Sequence, residues 1–206
     1  LRFELVTTLD KARRFYSNHA GELVSLVLRD YDIHNLKTIL CGLARNASPG
    51  EILSSLLPIG DLSYSLLSEL ARASGPRGVI DLLASMNLPF AQPLLKLRAR
   101  HPGAELFEME LALEQWHYQE SHARLQERQD DNSLLLSALN LDADLDNLLT
   151  VLRLVNSPSE RKQLRERLGI DQISRLFVGP GNLSFDLLSQ VSELDALETV
   201  VETLAG

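Results

Sequence analysis

A chain of 206 residues with 45% hydrophobic side chains can bury the core of one generous domain or two small ones. Its 28 acidic residues outnumber 20 basic ones, a net charge of -8, and no dense Lys/Arg run offsets that balance, which argues against a nucleic-acid surface. Cys41 is the only cysteine, so an intrachain disulfide is excluded, a thiolate zinc site lacks its further sulfur ligands, and a reducing cytoplasmic compartment fits best.

The chain opens on Leu1 rather than Met and reads as a fragment or processed form. It has no basic-then-apolar N-terminus and no run of about 18 apolar residues, so neither a signal peptide nor a membrane span is predicted. The first informative segment is "YDIHNLKTIL", Tyr31 to Leu40. Leu36, Ile39, Leu40 and Leu43 stand at i, i+3, i+4 and i+7, which lines one apolar stripe on an α-helix. Ser48-Pro49-Gly50-Glu51 then supplies a capping Ser, a Pro at the first helical position and a Glu at N3, predicting a second helix start. "GDLSYSLLSEL", Gly60 to Leu70, is a polar turn leading into another helix, and Val79, Leu82, Leu83 and Met86 again take the i, i+3, i+4, i+7 spacing.

After the breaker His101-Pro102-Gly103 comes a stretch rich in helix formers, Ala104 to Gln129, with Leu106, Met109, Leu113 and Trp116 on one stripe. The earlier pattern then returns in order, about 110 to 120 residues later. "DLDNLLTVL", Asp144 to Leu152, matches "DIHNLKTIL", Asp32 to Leu40, and its stripe is Leu148, Val151, Leu152 and Val155. Ser157-Pro158-Ser159-Glu160 repeats the capping signal, "GNLSFDLLSQV" from Gly181 answers the segment from Gly60, and Leu197, Val200, Val201 and Leu204 answer the stripe from Val79. No alternating strand pattern competes. The fold class is all-α, about ten helices in two related multi-helix modules, 1–102 and 103–206.

Candidate chemistry is sparse. Glu114-Gln115-Trp116-His117 has the ExxH spacing of di-iron bundles, but only one copy occurs, whereas a carboxylate-bridged metal pair needs a second copy and two further Glu. His117 and His122 are five apart and miss the i, i+4 zinc spacing. "GPG", Gly179 to Gly181, lacks the trailing GK[ST] of a phosphate loop and reads as a turn. Cys41 has no Cys-His partner motif and reads as packing, and no Gly-x-Ser-x-Gly elbow presents a nucleophile. No catalytic, cofactor or metal residue is assigned.

The repeated residues also carry a resemblance. "YDIHNLKTIL" followed by a helix and "LLPIGDLSYSLLSEL" resembles the C-type stalk subunit of the prokaryotic A/V-type ATP synthases, the AC39 family, counterpart of the d-type subunit in vacuolar ATPases. "EMELALEQWHYQE" resembles the family's linking helix and "DADLDNLLTVLRL" its second Asn-Leu motif. The family resembles a funnel of three related helical domains in a longer chain, whereas two modules are visible here. The sequence departs from the family where Cys41 replaces a basic residue and where Lys37 becomes Leu149 in the second copy.

The resemblance implies a mechanical, non-catalytic part: a central-stalk coupling subunit, peripheral to the membrane on its cytoplasmic side. It would seat the rotor axle subunits on the membrane proteolipid ring of a rotary ATPase and transmit torque for proton or sodium transport, with no cofactor. A cytoplasmic helical adaptor and a carboxylate-bridged metal enzyme are the alternatives. The motif residues are then structural: Asp32, Asn35, Leu36, Lys37 and Gly60 in the first copy, Asp144, Asn147, Leu148 and Gly181 in the second. Asp32, Asp144, Asn35 and Asn147 are expected to cap or buttress helix starts through backbone N–H groups, so that loss of either Asn costs about 0.5–2 kcal/mol. Leu40→Ala and Leu152→Ala, each placed at the centre of a buried stripe, are expected to cost about 2–5 kcal/mol.

Overall fold

The structure is a computed structural model describing residues 8, 11, 19–127, 133–169, 172–194, 199–200 and 202–203. Among these the chain is all-α: nine α-helices, one 3-10 helix and no strand. In chain order the α-helices are α1 (His19–Ala44), α2 (Pro49–Ser55), α3 (Tyr64–Leu70), α4 (Pro76–Ser85), α5 (Ala91–Arg100), α6 (Leu106–Gln126), α7 (Ser133–Leu154), α8 (Pro158–Leu168) and α9 (Phe185–Ser192). The 3-10 helix is Ile173–Leu176. The fold separates into two compact units, Leu1–His117 and Tyr118–Gly206, so α6 runs through the dividing point.

In the first unit, Leu36, Ile39 and Leu40 are fully buried in a core shared with Ile52, Leu62, Leu67, Leu70, Val79, Leu83, Leu94 and Leu113. Leu43, Leu82, Leu106, Met109 and Trp116 pack partly buried against it, whereas Met86 is exposed. The end of α1 is set by Asn46 at φ 57, in the left-handed region, with the Ala47 N–H bonded to the Gly42 carbonyl at 2.9 Å. Asn tolerates that conformation, and the bond satisfies a carbonyl that the helix leaves open. Asn87 at φ 53 closes α4 in the same way, with the Leu88 N–H on the Leu83 carbonyl. The α2 start is a full capping box: Ser48 Oγ accepts from the Glu51 N–H, and the Glu51 carboxylate accepts from the Ser48 N–H. Hydrogen bonds from Ser48 hold the Glu51 carboxyl below its ordinary pKa.

The second unit departs from the predicted stripe. Val151 and Val155 are buried, Leu148 is half-buried, and Leu152 is 45% exposed, so the inward side of α7 is Ala143, Asp144, Asn147, Val151 and Leu154. The reason is that the apolar residues of α7 are spread round the helix with Asp and Asn interleaved, and the two polar clamp residues, Asp144 and Asn147, lie on the side the fold covers. The second capping signal also departs. Ser157 makes no side-chain cap bond, because only three residues separate α7 from α8 and its own N–H closes the preceding turn on the Leu154 carbonyl. Its backbone, at φ -130 and ψ 58, lies outside the extended region that aims a capping hydroxyl at N2 or N3. In place of the cap, Arg161, buried, donates from one Nη to the carbonyls of Leu154 and Ser192, tying together the C-terminal ends of α7 and α9. Leu197, Val201 and Leu204 of the last predicted stripe lie outside the described residues, and Val200 is buried.

Candidate functional site

The polar motif residues sit in the middle of two long helices and reach loops far away in sequence. On α1, Asn35 receives the Leu57 N–H at its Oδ1 and donates from Nδ2 to the Leu57 carbonyl, both at 2.7 Å. One turn earlier, Asp32 accepts the Asp61 N–H at 2.7 Å and the Leu62 N–H at 3.0 Å on its two oxygens. Both side chains are buried, and together they clamp the loop that leads into α3, whose own N-cap Ser63 accepts from the Leu66 N–H. Gly60 lies against the Asp32 carboxylate so closely that any Cβ there would overlap it.

On α7 the same residue types hold the loop leading into α9. Asn147 Oδ1 accepts the Val178 N–H and its Nδ2 donates to the Gly179 carbonyl, each at 2.8 Å. Asp144 accepts the Asn182 N–H at 2.9 Å and the Leu183 N–H at 3.0 Å, with a further bond from Asn182 Nδ2. Gly181 lies against Asp144, and N-cap Ser184 accepts from the Leu187 N–H. The two clamps differ in one register detail: Asn35 holds both backbone groups of one residue, whereas Asn147 holds adjacent ones.

The i, i+3 spacing of Asp and Asn places both on one helix face, which is why four loop groups can be held by one turn of helix. A conformationally free loop loses entropy when it is fixed, and these buried bonds offset that cost. Asn35→Ala leaves the Leu57 N–H and carbonyl without their side-chain partner, and Asn147→Ala does the same to Val178 and Gly179. Each is expected to cost about 1–3 kcal/mol, read from urea unfolding followed by circular dichroism.

Burial is the largest influence on Asp32 and raises its carboxyl pKa to about 6, against the opposing pull of the Leu62 and Asp61 N–H groups. The nearby Asp61 carboxylate adds to the rise and Arg29 opposes it. Arg29 Nη2 stands 3.8 Å from Asp61. A folded pKa above the unfolded value, 3.8, means that the folded state binds the proton more tightly between these pH values. The contribution of Asp32 to stability is therefore fully present below about pH 4 and is lost as pH rises through about 6, a change of about 3 kcal/mol. A carbon-detected NMR titration of the Asp32 carboxyl, with unfolding free energies at pH 4 and 7, checks both the midpoint and the sign.

Lys37 pairs with Glu114, and His117 Nε2 meets Asp30 Oδ1 at 2.5 Å, so both residues of the ExxH face α1 and each engages a separate α1 side chain. Among the described residues no group of three or more His, Cys, Asp or Glu is placed to hold a metal ion. Leu36 is fully buried and Leu148 half-buried beside their clamps. Two further side chains of the second unit carry no sequence signal. The Tyr118 hydroxyl donates to the Pro180 carbonyl, and its ring closes over Gly179, where a Cβ would overlap it. Burial, with the Asp144 charge second, pushes the Tyr118 phenol above its ordinary pKa. The other is Arg161, one of four basic residues in a polar helix, whose bond to the Ser192 carbonyl no local pattern announces.

Chemically, the clamps direct both oxygens of each buried carboxylate to backbone N–H groups, an arrangement suited to holding a loop. The A-type ATP synthase C-type subunit of Methanosarcina acetivorans is 31% identical to this chain over 206 residues, covering 97% of the chain and 56% of that protein. The Methanosarcina mazei protein of the same description is 29% identical, with 98% and 56% covered. That of Methanosarcina barkeri is 32% identical over 155 residues, with 75% and 41% covered. The chain thus spans about half the length of these relatives. The sequence profile of the ATP synthase (C/AC39) subunit family matches residues 1–206, and the chain belongs to that family.

Proposed function

We propose that the chain serves in the non-catalytic central-stalk coupling subunit of an A-type or V-type rotary ATPase, seating the rotor axle on the membrane proteolipid ring. It passes torque between ATP chemistry and proton or sodium transport. The observation that carries this reading is the family match across residues 1–206. The clamps support it, because a torque coupler needs loops and helices held stiffly, and the buried Asp and Asn side chains supply long-range ties within each unit. Its partners are the axle and ring subunits, and its place is peripheral to the membrane on the cytoplasmic side. Among the described residues no helix is long and apolar enough to cross a membrane, so attachment in this reading runs through protein contacts. The paired Asp and Asn motifs further support two related modules, 1–102 and 103–206, built on one plan.

Reconstitution tests the function. The complex assembled with the chain is expected to couple ATP hydrolysis to ion pumping, and the complex lacking it to hydrolyse ATP while pumping falls. Failure of the folded chain to co-purify with either axle or ring subunits would sink the reading. So would a variant that stays folded and docked yet blocks hydrolysis at a chemical step.

A further inference from the structure

The two clamps share a hydrogen-bonding plan but not their charges. Asp32 takes the N–H groups of Asp61 and Leu62, and Asp144 those of Asn182 and Leu183, so Asp61 in the first unit answers Asn182 in the second. Three residues before each Asp stand Arg29 and Leu141. The first clamp is therefore flanked by a cation and an anion where the second has an apolar side chain and an amide. Asn182 turns its amide to the clamp, donating from Nδ2 to Asp144, whereas the Asp61 carboxylate opposes a charge on Asp32.

Arg29 is only 8% exposed, yet it is weakly held. Its Nη2 stands 3.8 Å from Asp61, beyond hydrogen-bond length, and its buried Nε and Nη1 have no partner. A guanidinium keeps its charge, so burying it with idle donors carries a free-energy cost that a nearby acceptor would offset. Asp32 lies one helical turn along the same side of α1, and each of its oxygens already accepts one N–H. An ionised carboxylate has one further acceptor position on each oxygen, and Arg29 has two idle nitrogens to fill them. The protonated acid lacks the charge that would draw Arg29 across. Burial raises the Asp32 pKa to about 6, so both forms are accessible close to neutral pH. The charged groups acting on Asp32 are Asp61, from the loop, and Arg29, while α6 sets its Glu114 and His117 against Lys37 and Asp30.

We propose that Arg29 is a pH-dependent latch between α1 and the loop into α3, exchanging Asp61 for Asp32 as its partner when Asp32 ionises. At low pH Arg29 stays with Asp61 and ties the loop to the helix. As pH rises, it turns Nε and Nη1 to Asp32, and the loop keeps its two backbone bonds to that carboxylate but loses the tie at Asp61. The second unit has no such exchange, because Leu141 and Asn182 carry no charge. All three residues of the latch lie within the first unit.

Nitrogen-15 NMR of the Arg29 Nε–H, run beside the Asp32 carboxyl carbon from about pH 4 to 8, reads the exchange. The Arg29 signal is expected to shift with the midpoint of Asp32, and a flat Arg29 signal through that titration overturns the proposal. In Asp61→Asn, a change on the exposed loop, the Arg29 signal still follows Asp32. Loss of its pH response in that variant overturns the proposal, because Arg29 would have been reporting on Asp61. Arg29→Leu, which copies the second unit, is expected to raise the Asp32 midpoint by about one pH unit or more, and to lower the urea midpoint further at about pH 7.5 than at about pH 4.5. An unmoved Asp32 midpoint overturns the proposal as well, and the Asp61→Asn arm decides the matter if Arg29→Leu does not fold.

Discussion

Gly60→Ala and Gly181→Ala are each expected to destabilise the chain by about 3–5 kcal/mol, seen as a lowered urea midpoint. Neither glycine has a positive φ, so conformational freedom is not what the position requires. The requirement is space. A Cβ at Gly60 would overlap the Asp32 carboxylate, and one at Gly181 would overlap the Asp144 carboxylate and stand 2.7 Å from the Asn140 carbonyl oxygen. Relief means moving a buried carboxylate off two backbone N–H groups, so the steric cost brings with it the loss of charge-assisted bonds. Gly50, with nothing within 4 Å of its Cβ and a place in the first turn of α2, is the control: Gly50→Ala is expected to leave stability unchanged or raise it by up to about 1 kcal/mol. A double-mutant cycle separates the mechanism from general overpacking. If Gly60→Ala acts through Asp32, its cost falls in an Asp32→Ala background, and two costs that simply add would mean the glycine is needed for some other reason.

Much of this fold was readable locally. The stripe through Leu36, Ile39 and Leu40 is buried as its spacing predicts, and the Ser48-to-Glu51 signal builds a complete capping box, because both depend on residues within one or two helical turns. The same rules overshot in the second half. Ser157 carries the same local signal as Ser48, but a connection one residue shorter uses its backbone to close the turn after α7. The clamps were half legible. The spacing puts Asp and Asn together on a helix face, yet their partners lie 22 to 39 residues away, a distance that no local pattern encodes. Tyr118 and Arg161 were invisible for the same reason: each acts on a carbonyl brought near only by the tertiary fold.

Leu40→Ala is expected to cost about 2–5 kcal/mol, while Leu152→Ala, at the corresponding place in the second copy, costs less than about 0.5 kcal/mol in the 206-residue chain. Truncating Leu40 opens a cavity in a core where Leu36, Ile39, Leu67, Leu70, Val79 and Leu83 are all fully buried, so little can move in to fill it. Leu152 faces water, and its loss removes apolar surface already hydrated. The buried residue at the end of α7 is Leu154, for which the larger cost is expected instead. Urea unfolding of the three variants decides the matter, provided the transition slope stays that of the parent chain, since a changed slope would signal altered compactness instead of altered packing. Equal losses at Leu40 and Leu152 would mean that α7 turns Leu152 inward in solution. A silent Leu152 with a costly Leu154 would mean that two helices sharing one motif bury different faces, because burial is set by what the rest of the fold brings against each helix and not by the helix's own pattern.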